Sequence, residues 1–136
     1  MKNNRPAPAS LSDKLLRGDL MAADCPSREV LRHVTSRWGV LVLIALGQGT
    51  RRFGELRRAV GGVSERMLAQ TLHWLEGDGL VDRVARAAVP PHVDYSLTPL
   101  GREAEARVRA LADWIEVSMP LIAARGEGAA GSGDGG

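Results

Sequence analysis

The chain has one cysteine, Cys25, and three histidines among its 136 residues. A single cysteine excludes an internal disulfide framework and any cysteine-rich zinc site. His33, His73 and His92 stand far apart, and none has a partner at metal-ligand spacing, so no metal is expected. There is no nucleophile elbow and no phosphate-cradling glycine loop; Gly61-Gly62 reads as a turn. The expectation is a non-enzyme without a cofactor. The longest apolar run, Val40 to Leu46, falls far short of the ~20 residues a membrane helix needs, and the N-terminus carries no apolar stretch of the signal-peptide kind. A cytoplasmic protein with no membrane partner follows as an expectation.

Net charge is only +2, a weak argument by itself for a polyanionic partner. Its distribution says more. Between Arg28 and Arg66 there are eight basic residues against three acidic ones, Glu29, Glu55 and Glu65. Such clustering on one module suits neutralisation of phosphates better than a merely solvated face.

The chain has room for one domain. Residues 1–10, with two prolines and two asparagines, and the glycine-rich residues 123–136 bury too little apolar surface to offset their ordering entropy, so both are expected to be disordered around a domain at 11–122. Leu11, Leu15, Leu16 and Leu20 suggest a short amphipathic segment. Pro26 suits the first position of a helix and leaves Cys25 at its N-cap, with Val30, Leu31 and Val34 as the inward face. A second helix is expected from about Trp38, carrying Leu41, Val42, Ala45 and Leu46 inward and stopping at Gly47 and Gly49.

The stretch from Arg51 to Thr98 carries the functional signal. A helix is expected from about Arg52 to Val60, with Phe53, Leu56 and Val60 inward and Arg51, Arg52, Arg57 and Arg58 on its free face. Gly61 and Gly62 end it, and Ser64 caps a helix running to Glu76. Leu68, Leu72 and Leu75 lie at i, i+4, i+7 and point to the core, with Met67 and Thr71 at the flank. The opposite stripe is Glu65, Arg66, Ala69, Gln70 and His73. Arg66 could fork onto guanine, Gln70 could pair with adenine, and Ala69 could contact a thymine methyl. Any exposed helix face is polar, so this stripe alone leaves DNA contact open.

Strand patterns follow at Leu80 to Arg86 and His92 to Leu97, joined by Ala87 to Pro91 with its two prolines. The order helix, turn, helix, ribbon is the layout of a mainly α winged helix-turn-helix. Arg83, Arg86 and His92 are positioned to touch phosphates or a minor groove, although each alone could be an ordinary solvated charge. Thr98 caps a last helix opened by Pro99 and expected to run to about Met119, with an apolar stripe of Ala104, Val108, Leu111 and Ile115 beside Trp114. A second subunit is the simplest cover for that stripe, and a homodimer would set two reading helices ~34 Å apart, one DNA turn. Trp38, Trp74 and Trp114 are expected as core or interface anchors.

Cys25-Pro26, Arg37-Trp38, Arg52-Phe53-Gly54-Glu55-Leu56-Arg57, Ser64-Glu65-Arg66-Met67-Leu68, Leu75 to Leu80 and Val89 to Thr98 together resemble the HxlR-type winged helix-turn-helix transcriptional regulators. The resemblance covers roughly Asp24 to Ile115. It implies a dimeric bacterial regulator that reads a double-stranded DNA operator through the helix starting at Ser64, with wing contacts to phosphates and dimerisation through the first and last helices. Two positions depart from the family pattern. Glu65 stands where a neutral polar residue is common, which alters operator preference or favours a cytosine amino group. His92 replaces the usual Arg or Lys after the two prolines, which weakens a phosphate contact at neutral pH and makes it pH-sensitive.

Some regulators of this resemblance sense quinones, aldehydes or oxidants through the cysteine matching Cys25. The N-cap position, the helix dipole and Arg28 one turn away favour its thiolate; the alternative is a small buried hydrophobe. Two further readings stay open beside the sensor: a regulator answering to a small-molecule effector in a cleft at the dimer interface, and a winged helix used only to bind protein, which would not need the basic zone.

Overall fold

The computed structural model describes Ser10, Asp13 and residues 22–133. The segment containing Leu11, Leu15, Leu16 and Leu20 lies outside the described residues. Helix α1 spans Pro26–Thr35 with Cys25 at its N-cap in extended conformation. Proline is suited to that first turn because its missing N–H would have had no partner there. Ser36 closes α1 and caps α2 (Arg37–Gly47), accepting a hydrogen bond from the Gly39 N–H at 3.1 Å. Strand β1 (Arg51–Arg52), α3 (Phe53–Ala59), α4 (Glu65–Gly77), β2 (Val81–Arg86), β3 (His92–Leu97) and α5 (Pro99–Gly133) follow.

The strands form one antiparallel sheet in the order β1-β3-β2. The two-stranded ribbon expected from the sequence thus gains a third member. Arg51 and Arg52, read as the head of a helix, pair instead with Tyr95 and Asp94. Two residues are too few to leave an alternating pattern.

The core lies between α2, α3, α4 and the inner face of the sheet, with Val42, Leu43, Leu56, Leu68, Leu75 and Val81 almost fully buried. Each such side chain contributes on the order of 1.5–3 kcal/mol by leaving water. Two details differ from the sequence reading. Leu43 is in the core while Leu41 is 40% exposed, because α2 is apolar nearly all round and its composition could not select the buried face. On α1, Val30 and Leu31 are exposed and His33 is buried, because the surface that α1 meets at the end of α4 is aromatic and polar.

Thr98 ties α5 to the rest of the domain. Its hydroxyl donates to the Gly79 carbonyl at 2.7 Å and accepts from the Gly101 N–H at 2.9 Å, while its N–H donates to the Leu80 carbonyl at 3.0 Å. A side chain at residue 101 would bring a Cβ to 1.9 Å from the Leu80 carbonyl oxygen, so only glycine fits. Along α5, Val108 is buried and Ala104 half-buried against the core. Beyond them Leu111 (51% exposed), Trp114 (61%) and Val117 (82%) face solvent.

The helix continues through Pro120 to Gly133, past the stop at Met119 and into the run expected to be unstructured. Proline removes one helical hydrogen bond, and here the helix is exposed, so water reaches the carbonyl left over. Leu121 to Arg125, after it, are mostly good helix formers. Among the described residues no single helix is long and apolar enough to cross a membrane.

Candidate nucleic-acid interface

The turn between α3 and α4 presents α4 to solvent. Gly62 adopts φ +87°, a left-handed conformation that L side chains avoid, and so lets the chain reverse within a few residues. Ser64 then caps α4, its hydroxyl accepting from the Met67 N–H at 3.1 Å. Leu68, Leu72 and Leu75 are buried as their spacing predicts, and Thr71, expected at the flank, is buried with them. Its hydroxyl is satisfied internally by donating to the Met67 carbonyl at 2.7 Å.

One face of α4 is thereby fixed. On the other, Glu65, Arg66, Ala69, Gln70 and His73 are all exposed, so the structure brings the expected stripe together. Among the described residues no hydrogen bond or ion pair engages the side chain of Arg66, Gln70 or His73. Glu65 differs, accepting from the Arg57 guanidinium of α3 at 2.8 Å. That bond spans the helix-turn-helix and removes a carboxylate and a cation from the set of unengaged groups.

The flanking arginines divide. Arg51 is half-buried, with its Nε donating to the Ala45 carbonyl at 3.1 Å and its guanidinium reaching Gln48, so it closes the end of α2 and stands apart from the stripe. Arg52 keeps an exposed side chain, while its backbone N–H donates to Glu55 at 2.7 Å to cap α3. Arg58, one turn after Gly54 on α3, is exposed.

On the wing, β2 and β3 pair with Arg86 opposite His92, Val84 opposite Asp94 and Arg83 opposite Tyr95. Side chains alternate across a strand. Arg86 and His92 therefore share one face, whereas Arg83 lies on the face of Tyr95 and is not grouped with them. Sequence reasoning missed Asp94, which sits between Arg86 and His92 on that face. Its carboxylate accepts from Arg86 Nε at 3.0 Å and stands 3.4 Å from His92 Nε2. The strand register, once known, is the signal that would have found it. Cys25 is half-buried at the head of α1, on a different element from the stripe and the wing.

A half-buried helix with an open polar face, a positive shoulder and a two-stranded wing is the geometry of a winged helix. Residues 33–122 match the profile of the HxlR-like helix-turn-helix family. The chain belongs to that family. This HxlR-like chain is 62% identical over 122 residues to the HTH-type transcriptional regulator YtfH of Escherichia coli K12, covering 89% of this chain and 97% of that protein. It superposes on the structure of the transcriptional regulator YtfH from Salmonella typhimurium with a TM-score of 0.75 at 62% identity, over 79% of this chain and 96% of that one. The redox regulator HypR in its reduced form gives a TM-score of 0.66 at 33% identity, over 73% and 98% of the two chains. The HxlR-like chain is a DNA-binding transcriptional regulator of the helix-turn-helix type, in a family of regulators and not of enzymes.

Proposed function

We propose that the protein is a cytoplasmic homodimeric repressor that lays α4 in the major groove of a palindromic operator, and that chemistry at Cys25 controls its release. The observation that carries this reading is the unengaged stripe of Arg66, Ala69, Gln70 and His73 on a helix whose other face is locked in the core. Arg66 and Gln70 have the fork geometry that matches guanine and adenine edges. Ser64 and Glu65 begin that helix, and Arg52, Arg58 and the wing residues Arg83, Arg86 and His92 flank it as phosphate contacts.

Support for a dimer comes from Leu111, Trp114 and Val117, large apolar groups on an exposed helix that a second copy would cover. Support for the switch comes from Cys25 at a helix N-cap and from the likeness to HypR, itself a redox regulator. A small-molecule effector is a second reading, favoured by an open groove of about 390 Å³ along α1 lined by Ala23, Arg28, Glu29, Leu31, Arg32 and Thr35.

Selection of duplexes from a random pool by the purified protein tests the proposal. The expected product is an inverted repeat with half-sites ~34 Å apart, one DNA turn, bound with a steep salt dependence. Failure to enrich any sequence, or an affinity indifferent to salt, overturns the DNA reading. Sedimentation of Trp114→Glu should give a monomer where the wild type gives a dimer. If Cys25→Ser still releases the operator on treatment with diamide or a quinone, the switch is elsewhere.

A further inference from the structure

A cluster at the end of α4 opposite the α3–α4 turn has no part in the reading above. His33 on α1 stacks on the Trp74 indole, with ring centroids 4.9 Å apart and planes inclined by 11°. Its Nδ1 lies 2.7 Å from Asp78 Oδ2, and both side chains are nearly withdrawn from solvent, at 10% and 12% exposed. Asp78 is the C-cap of α4.

The surrounding charges come from α1. Arg32 sits 4.9 Å from the Trp74 ring centroid and hydrogen-bonds Glu29. The Arg32 guanidinium is also 3.4 Å from His33 Nε2, and Glu29 is 3.8 Å from the same atom.

Leu68, Leu72 and Leu75 fix how deeply α4 is buried, but apolar contacts are non-directional and constrain its tilt weakly. Directional contacts hold its two ends. At the first end they are the Ser64 cap and the Arg57–Glu65 pair. At the second end the Arg32 guanidinium lies over the Trp74 ring, and the shortest directional contact is the one between His33 and Asp78, a desolvated bond to a carboxylate, and such bonds are shorter and stronger than neutral ones. The Trp74 stack adds a planar constraint on the same turn.

We propose that His33, Asp78 and Trp74 form a latch that holds the C-terminal end of α4 against α1 and sets the angle at which Arg66 and Gln70 meet the bases. His33 and Asp78 are then positioning residues for DNA reading, which they influence without touching DNA. The proposal rests on α4 being the reading helix.

The test compares full-length variants on two duplexes at one salt concentration, the sequence selected by the wild type and a scrambled control, with Tm measured alongside. His33→Ala and Asp78→Ala should lose about tenfold on the selected duplex and little on the scrambled one, since loss of a single directional contact is of that order. Asp78→Asn should recover most of the discrimination, because its amide oxygen still accepts from Nδ1–H. Should the alanine variants fail to fold, His33→Asn keeps an N–H near the place of Nδ1 without the stack, and its discrimination should lie between the two. Equal losses on both duplexes, or a lower Tm with discrimination intact, would overturn the latch. A wild-type protein that selects no sequence would overturn the reading of α4 itself.

Discussion

On α4, Arg66, Gln70 and His73 extend from a helix locked on its other side, and among the described residues none is engaged by a protein partner; on the wing, Arg86 and His92 both stand within reach of Asp94. Side chains of similar kind thus meet solvent in two states. Groups kept unengaged form bonds to base edges without first breaking internal ones, which suits discrimination. Groups already held by a carboxylate have their geometry restrained and, for Arg86, part of the charge neutralised, which suits a weak, sequence-blind grip on the backbone.

The sharpest way to break this contrast is to truncate the stripe. Arg66→Ala or Gln70→Ala should each cost about 1–3 kcal/mol on the selected duplex and relax preference at one base pair, read by titration against single-base variants. A uniform loss over all sequences would place these side chains on phosphates and erase the distinction. Next in size, Arg86→Ala should weaken binding to every duplex alike by up to about 1 kcal/mol, with a salt slope smaller by about one. Selective loss on one sequence would make the wing a reader.

Asp94→Asn tests the pairing from the other side. Removing the carboxylate should tighten binding to all duplexes by roughly two- to threefold at low salt, an advantage that fades as salt screens it. Weaker binding would mean that Asp94 chiefly orders the wing.

The smallest effect belongs to the exposed Arg32–Glu29 pair on α1. The Glu29 carboxyl is held below its ordinary value of 4.5, first by the hydrogen bond from Arg32 and then by its charge. A depressed folded value means that the pair adds stability above pH 4.5 and loses it as pH falls through the lower value. Glu29→Gln should therefore lower Tm barely measurably at pH 7 and not at all in strong acid, as thermal melts at the two pH values would register. A large fall at pH 7 would show that Glu29 supports His33 as well as Arg32.

Helix α4 was legible because its rules are local. Ser64 caps, Leu68, Leu72 and Leu75 repeat with the helix, and what remains on the far side is the stripe. The wing strands were equally plain, since Val93, Tyr95 and Leu97 alternate with polar residues. What escaped depends on which surfaces meet. His33 takes the inward place of Val30 and Leu31 only because Trp74 and Asp78, more than forty residues on, form the surface it faces. Arg51 turns inward because the last carbonyls of α2 lie beside β1. Asp94 joins Arg86 and His92 through strand register, which no single segment encodes.

The joint at Thr98 also acts as a surveyor's mount. Three hydrogen bonds and a glycine that admits no side chain fix the direction in which α5 leaves the domain, next to where α4 ends. The helix that starts there is 35 residues long, about 50 Å at 1.5 Å per residue. Over that length one degree of tilt at Thr98 becomes about 1 Å at the far end. The position of the far end of α5 relative to the α4 stripe is calibrated by a handful of atoms around residues 79, 80, 98 and 101.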